Sequence, residues 1–596
     1  MPEARGSAAC GRIASDPQPQ GTRSVPTAVF RLLAGVFAAL ALLTCAAPAL
    51  AQQQQPNIVV IMTDDQTAAS VPMMPQVNAL LGSEGTNFRQ AIASFPLCCP
   101  SRATYLTGQY AHNHGVLHNS GLFGGFRMLD NTNTLPVWLQ AAGYRTMHVG
   151  RYLNGYEYRD GIPGGYTDWY GSPHSNAFNY TNWKVNENGV LRSYPQPDRP
   201  GDYQTDQSTR RALGLIEDAA PSAQPFYLSL WYVAPHRGGP RDPDDPPSPG
   251  TPSPAPRHRD AFAAYSMPRL PNFNERSMFD KPQVVADRPR LTPEKIAGIE
   301  ENWRQELESL LAVDEGVAQI VDLLRRTGEL DNTLIVYMSD NGFMHGEHRA
   351  LAEKVLPYEP SIRVPLLMRG PGIPRGRVDD RLVANLDVPA TILDAAHVSP
   401  WRVLDGRSLL DLAEDPGEEW GRDILIENGR GANGIPTYRG IRNYRYLYVE
   451  HLTTGEYELY DLVEDPFQLS SKDGSDRYRH VQRELRRRLR ELRSCAGASC
   501  LTGPRLRLFL RSQGRPISSC IRDDLRVRVG GSERDDIMSA DVLVGHRRVG
   551  SALTPPVVED IPLRELRSRG RFRLRVRTET IDGRRLTLDR VLRACR

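Results

Sequence analysis

After residue 51 the chain has no uninterrupted apolar run approaching the ~20 residues that a bilayer-spanning helix needs. Stable membrane insertion of that part is therefore not expected. It also has little net charge: +3 over 596 residues argues against a dedicated nucleic-acid binder, so no nucleic-acid partner is expected. Cysteine is sparse, eight in all, and no thiolate-rich or histidine-rich cluster of the kind that zinc favours is present. Lysine is missing altogether after Cys500, where arginine becomes abundant. At 40% hydrophobic and 24% charged residues, what remains is a globular chain long enough for a large core and a smaller unit.

The stretch RLLAGVFAALALLTCAAPALA, Arg31 to Ala51, joins a basic flank, an apolar run and a small-residue Ala49-Leu50-Ala51 site. This predicts a signal peptide over 1–51, cleaved near Ala51, and a secreted, periplasmic or cell-envelope protein. A membrane span is the weaker reading because the run is short, and a lipid anchor at Cys45 ranks third because Thr44 is not the small residue such sites favour. Cys10 and Cys45 leave with the leader. Export permits disulfides, and Cys495 with Cys500 and Cys520 with Cys595 is the expected pairing.

NIVVIM (Asn57 to Met62) is a continuous β-branched run suited to a strand buried on both faces, and it stops at Asp64-Asp65. Three other strand-like runs also end in polar groups: one at Arg151 and Asn154, one at His236, one at Asp340 and Asn341. In an open α/β sheet ligands bind beyond the carboxyl ends of the strands, so these groups are expected to converge. Helical stretches such as KIAGIEENWRQELESLLAVDEGVAQIVDLLRRTG alternate with the strands, predicting a doubly wound α/β domain over 52–400. The Pro- and Asp-rich stretch Gly238 to Asp260 is too poor in apolar residues to pack and reads as either an excursion near the mouth of the site or a surface loop. Over 401–500 short strands and a charged helix, Asp476 to Arg493, suggest a small antiparallel sheet closed by a helix. The Arg-rich remainder, 501–596, reads as a β-sandwich-like accessory domain, in which RFRLRVR sets Arg571, Arg573, Arg575 and Arg577 on one strand face and Phe572, Leu574 and Val576 on the other.

Cys98-Cys99-Pro100-Ser101-Arg102, followed by Leu106-Thr107-Gly108, resembles the Cys-x-Pro-Ser-Arg-x-x-x-Leu-Thr-Gly signature of the type I sulfatases. NIVVIMTDDQ, VGRYLNGY, SDNG and IRVPLLMRGPG resemble that family's other segments, in its order. TGQYAHNHGV, ELYDLVEDPFQL and SCAGASC resemble the branch containing N-acetylglucosamine-6-sulfatase and the heparan endosulfatases. The resemblance implies an alkaline-phosphatase-like fold and hydrolysis of a sulfate monoester on a sulfated small molecule or glycan. It further implies oxidation of Cys98 to formylglycine by a formylglycine-generating enzyme, with Cys99 a bystander.

The same resemblance assigns roles. Asp64, Asp65, Asp340 and Asn341, with an oxygen of modified Cys98, would hold a divalent cation; oxygen-only ligands favour Ca²⁺, with Mg²⁺ next. A hydrated-aldehyde oxygen would attack sulfur in line, Asp340 taking its proton, and His236 or Lys354 would protonate the leaving alcohol. Arg102 would orient the nucleophile, and Arg151 stands where the family usually has lysine. His345 lies one place beyond the usual histidine. Phosphodiester or phosphonate hydrolysis, a simple aryl or alkyl sulfatase, and a non-catalytic glycan-binding protein are the other readings. The arginine face of the accessory domain is either solvated surface or a holder of sulfated polymer.

Overall fold

The structure, a computed structural model, describes residues 55–595 apart from 195–201, 415–419, 430–433, 502–505 and short breaks between 513 and 584. The expected leader, with Cys10 and Cys45, lies outside the described residues. Among the described residues no helix is long and apolar enough to cross a membrane.

A ten-stranded mixed sheet forms the centre. Strand Asn57–Asp64 lies between Phe226–Pro235 and Thr333–Ser339, parallel to both. Arg145–Arg151 runs parallel to Phe226–Pro235 on its other side, and Asp168–Ser172 continues the parallel block. All five strands therefore end at one edge, which brings Asp64, Arg151, Pro235 and Ser339 to the same side of the sheet.

Side-chain alternation explains the layering. Ile58, Val60 and Met62 face a core shared with helices Cys98–Thr107, Leu135–Ala141 and Asp387–Ala395. Val59 and Ile61 face the opposite core, shared with Gln204–Ala219 and the 35-residue helix Pro293–Thr327. Both faces are covered, which is why the central strand reads as an unbroken apolar run.

The Pro-rich excursion departs from expectation. Residues 251–255 within it are buried, with Thr251, Ser253 and Ala255 almost inaccessible. Backbone partners rather than apolar side chains hold it: Tyr203 donates to the Ser253 carbonyl (2.9 Å) and Asn302 Nδ2 to that of Gly250 (3.0 Å). Gly298 leaves room for the Ser248 carbonyl, which a Cβ there would approach to 2.4 Å.

Beyond the main sheet, Ile424–Glu427, Tyr438–Arg442, Tyr446–His451 and Tyr457–Asp461 form a four-stranded antiparallel sheet. Helix Arg479–Leu492 packs on it through Val481, Leu485, Leu489 and Leu492, and starts a little later than its sequence suggested. A Cys495–Cys500 disulfide follows. The last stretch folds as two four-stranded sheets over one core that includes Val527, Val529, Val542 and Leu574. Cys520 and Cys595 are bridged. In Arg571–Thr580 the residues Phe572, Leu574 and Val576 are buried, while Arg571, Arg573 and Arg577 are exposed.

Candidate active site

Cys98 is the first residue of a ten-residue helix, Cys98–Thr107, every residue of which is buried. Leu97 precedes it in extended conformation without a side-chain cap, and Gly108 ends it at φ 67°, where a Cβ would strike Leu404. Ser101 donates to the Asp340 carbonyl oxygen, and Asn385 Nδ2 donates to the Ser101 hydroxyl at 3.0 Å, tying the helix start to the end of strand Thr333–Ser339. The helix thus aims Cys98 at the carboxyl edge of the sheet.

Around Cys98 the chain assembles three carboxylates and three cations. Cys98 Sγ lies 3.6 Å from Asp64 Oδ1, and Lys354 Nζ donates to the sulfur at 2.7 Å and also to Asp65. Arg102, fully buried, donates through Nη2 to Asp64 (3.0 Å), through Nε to Asp340 (2.8 Å), and through Nη1 to the carbonyls of Arg151 and Tyr152. Arg151 pairs with Asp64 and donates to Asn154 Oδ1 at 3.1 Å. Asn341 Nδ2 donates to Asp65 Oδ1 at 2.7 Å. His236 Nδ1 lies 2.7 Å from the Arg237 carbonyl, so that nitrogen carries the hydrogen and Nε2 faces Asp65 Oδ2, 3.6 Å away. All nine residues singled out in the sequence therefore meet in one buried cluster.

Two backbone conformations make this convergence possible. Asp65 sits at φ 67° and Val355 at φ 82°, a region that costs L-residues energy, most of all β-branched ones. At Asp65 the chain turns sharply off the strand, so that consecutive acids address the same space. At Val355 the turn is held by its N–H to the Pro96 carbonyl (3.1 Å) and by the Tyr438 hydroxyl donating to its carbonyl; this orients the neighbouring Lys354.

Burial pushes the Cys98 thiol up to about 12, with Lys354 opposing the shift. Burial also lowers His236 well below the ordinary histidine value, helped by Lys354 and Arg151, so its ring is neutral. Burial alone would lower Lys354, but the carboxylates of Asp65 and Asp340 help raise it overall, so it stays protonated.

The donor set fits a divalent cation. Ligand atoms of Asp64, Asp65, Cys98 and His236 lie within 4.8 Å of one another, and Asn341 Oδ1 is buried with no partner among the described residues. Asp340 stands at the border of the group: Oδ1 accepts from the N–H groups of Asp65 (3.2 Å) and Asn341 (2.8 Å), and Oδ2 from Arg102, which leaves room for a further partner on Oδ2. Adding a divalent cation to three carboxylates and three protonated bases leaves the cluster positive, an environment that attracts an anion.

Sequence reasoning missed several supporting residues. The Phe178 ring lies between Arg151, 4.6 Å from its centroid, and the His236 ring, 4.4 Å away. Asn119 accepts from the Cys99 N–H at 2.9 Å. Nothing near Phe178 in sequence marks it, whereas Asn119 lies three residues beyond the TGQYAHNHGV stretch. His345 is removed from the cation group by a 2.8 Å contact with Glu306 on the long helix. Cys99 belongs to the apolar core rather than to the cluster.

The sheet and this cluster define a sulfatase-class architecture, and comparison with known proteins agrees. The model described as Sulfatase matches residues 56–398, and that described as N-sulphoglucosamine sulphohydrolase, C-terminal, matches 346–495. The chain belongs to the sulfatase family. It is 35% identical over 397 residues to human N-acetylglucosamine-6-sulfatase, covering 64% of this chain and 68% of that one. It is also 35% identical over 411 residues to an extracellular sulfatase Sulf-1 homologue of Caenorhabditis elegans, covering 66% of this chain but only 54% of that relative's length. Among solved structures, BT4656 in complex with its substrate D-glucosamine-2-N,6-O-disulfate superposes with a TM-score of 0.61 at 25% identity, covering 74% of this chain and 97% of that one. A phosphonate monoester hydrolase of Agrobacterium radiobacter, 19% identical with a TM-score of 0.54 and covering 78% of this chain and 99% of its own, shares the fold alone.

Proposed function

We propose that the protein is an exported sulfatase that hydrolyses sulfate monoesters of sulfated sugars, with Cys98 converted to formylglycine by a formylglycine-generating enzyme. The observation that carries the reading is the position of Cys98: first residue of a buried helix, 3.6 Å from Asp64 and 2.7 Å from Lys354, within the Cys-x-Pro-Ser-Arg motif. The relatives named for N-acetylglucosamine-6-sulfatase and the solved complex with a glucosamine disulfate support a sulfated sugar as substrate. The export leader over 1–51 and the relative named as extracellular support action outside the cytoplasm.

Asp64, Asp65, Asp340 and Asn341 would hold a divalent cation, Ca²⁺ first and Mg²⁺ second, which when bound polarises a sulfate oxygen and acidifies a nucleophilic hydroxyl. As formylglycine, residue 98 would offer a hydrated aldehyde, one hydroxyl to take the sulfuryl group and the other to let sulfate be expelled. Arg102 holds that helix turn in register with Asp64 and Asp340 through charge-assisted hydrogen bonds. Asp340 accepts the proton of the attacking hydroxyl. Lys354, protonated and beside residue 98, gives a proton to the departing alcohol; neutral His236, its Nε2 turned into the cluster, holds a lone pair there and takes a proton back. Arg151, steadied by Asn154 and Phe178, binds a sulfate oxygen.

The test is a parallel assay of p-nitrocatechol sulfate, a 6-sulfated glucosamine and a phosphodiester, with mass analysis of the peptide spanning Cys98. Turnover of the sulfate esters with formylglycine mass at residue 98 is expected; Cys98→Ser should abolish it and Cys99→Ala should keep most of it. Active protein carrying only unmodified thiol at Cys98, or a preference for the phosphodiester, would overturn the reading.

A further inference from the structure

We propose that the outer face of the sheet formed by Leu506–Ser512, Leu525–Gly531 and Val558–Ile561 binds a sulfated polysaccharide. The choice of polymer rests on the function proposed above; the existence of the site rests on the face itself, which lies outside both family matches.

Pairing across these strands sets out the face row by row. Arg511 lies opposite Arg526, and Arg526 opposite Asp560; Phe509 lies opposite Arg528, and Arg528 opposite Val558; Arg507 lies opposite Gly530. Directly paired residues share a face, and alternation sends Leu506, Val527 and Val529 into the core. The outward set is therefore Arg507, Phe509, Arg511, Arg526, Arg528, Val558 and Asp560, four cations to one anion. Arg526 is neutralised by a forked pair with Asp560, at 2.7 and 2.5 Å. Arg507, Arg511 and Arg528 have no hydrogen bond or ion pair among the described residues, although Arg507 lies near Glu484 of the helix Arg479–Leu492, whose carboxyl is held low first by Arg487 and also by Arg507. Like charges on adjacent strands are destabilising unless something of opposite sign lies over them.

An aromatic ring sits among these three arginines. Phe509 is 49% exposed, and it lies across Gly530: a Cβ there would be 2.6 Å from Phe509 Cε2 and 3.1 Å from Cδ2. The glycine lets the ring lie along the sheet instead of standing off it, which presents a flat apolar platform. A pyranose ring has an apolar face that matches such a platform, while its sulfate groups match guanidinium forks to either side. Arg507 and Arg511 are four residues apart on one strand, about 13 Å, so the basic groups are spread along a chain rather than gathered on one anion. A polymer with repeated sulfates satisfies both features at once.

The sequence pointed instead to the Arg571–Thr580 strand of the other sheet. There Arg575 pairs with Asp589 (3.0 Å), Arg548 with Asp541 (3.3 Å) and Arg585 with Glu579 (3.8 Å); Arg571, Arg573 and Arg577 are exposed as on the first face, but no aromatic ring lies among them. Its large exposed apolar residues are Met538 and Val591, neither of which offers a flat ring. That face is the built-in comparison.

The experiment uses the full-length protein, immobilised heparin, and unsulfated dextran and duplex DNA as competitors. Wild type should bind heparin in a salt-dependent manner. The triple variant Arg507→Ala, Arg511→Ala, Arg528→Ala should weaken binding about tenfold or more, with turnover of p-nitrocatechol sulfate unchanged. Phe509→Ala should weaken binding while leaving its salt dependence unaltered, because stacking carries no charge. Arg571→Ala with Arg573→Ala and Arg577→Ala should matter much less. Heparin binding that survives the first triple variant, or falls equally in the second, overturns the proposal, as does equal competition by dextran or DNA. Loss of heparin binding in the first variant of a protein that hydrolyses no sulfate ester would sustain the binding face and sink the enzymatic reading alone.

Discussion

Lys354 donates to the sulfur of Cys98 at 2.7 Å across 256 positions of sequence, and the same ammonium pairs with Asp65. One cation therefore serves both the proposed reacting residue and a member of the proposed cation-binding group. Lys354→Met removes the charge and leaves Asp65 without its partner. Activity on an alkyl sulfate should fall about a hundredfold or more, chiefly in kcat. A smaller loss with a leaving group that needs no protonation, such as a nitrophenol, than with an alkyl sulfate would mark Lys354 as the acid; equal losses would assign it to positioning.

The proposed cation should be visible without any turnover. Ligand binding to the folded state alone raises Tm, so Ca²⁺, and Mg²⁺ less strongly, should raise Tm of chelator-treated protein, and Zn²⁺ should not match them. Asp65→Ala should abolish the rise. Asp64→Ala is the harsher change, since it strips the partner from buried Arg102 and Arg151, and it should lower Tm even in the absence of any metal.

Arg151→Lys tests a substitution in the direction of the family. Lysine keeps the charge but loses the bond to Asn154 and most of the stacking over Phe178, because a guanidinium fork and an ammonium are different recognition groups. The expected result is a KM for sulfate esters raised by several-fold with a smaller change in kcat. An unaltered KM would show that Arg151 does not touch the sulfate.

Acid stability should depend on His148. Its ring is buried, stacked on Trp169 and bonded through Nδ1 to Ser229 at 2.9 Å, while Nε2 has no partner; burial lowers its pKa to about 3. The unfolded chain binds a proton on this residue near 6.5 and the folded chain does not until about 3. Its contribution is therefore intact above 6.5 and is lost as pH falls through that window. In urea titrations His148→Phe should show a shallower fall in stability between pH 6.5 and 5 than wild type. Parallel slopes would show that the ring is already protonated in the folded protein.

Removing the Cys520–Cys595 bridge, which spans 75 positions, should cost the two-sheet C-terminal unit about 4–5 kcal/mol by loop-closure entropy. Cys520→Ser with Cys595→Ser should lower the Tm of that unit and leave hydrolysis of a small ester unchanged. A drop in that hydrolysis would mean that this unit supports the active site.

The parts of this molecule written in local pattern were readable in its sequence. The apolar run from Ile58 to Met62 and the polar groups at four strand ends placed Asp64, Arg151, His236 and Asp340 on one edge, because parallel strands leave little choice. The alternation in Phe572, Leu574 and Val576 gave the inward face of its strand, and the late cysteines paired as their order suggested. Features that depend on backbone geometry or on distant partners were not readable. The left-handed turns at Asp65 and Val355 carry no glycine to announce them. Thr251 and Ser253 look like loop residues, and they are buried because Tyr203 and Asn302 satisfy their stretch of backbone from elsewhere in the chain. Phe178 matters only through where it lies, between Arg151 and His236.

The inaccessibility of Cys98 has a consequence in time. The residue is 1% exposed within a wholly buried helix, and its surroundings are completed only when Lys354 arrives, with Val355 clasped by Tyr438. A catalyst that oxidises this cysteine must act before those later residues close over it. Under the proposed conversion of Cys98, chain growth from residue 98 to beyond residue 438 is an interval in which modification would compete with folding, and a molecule that folds first carries its thiol beyond reach for as long as it stays folded.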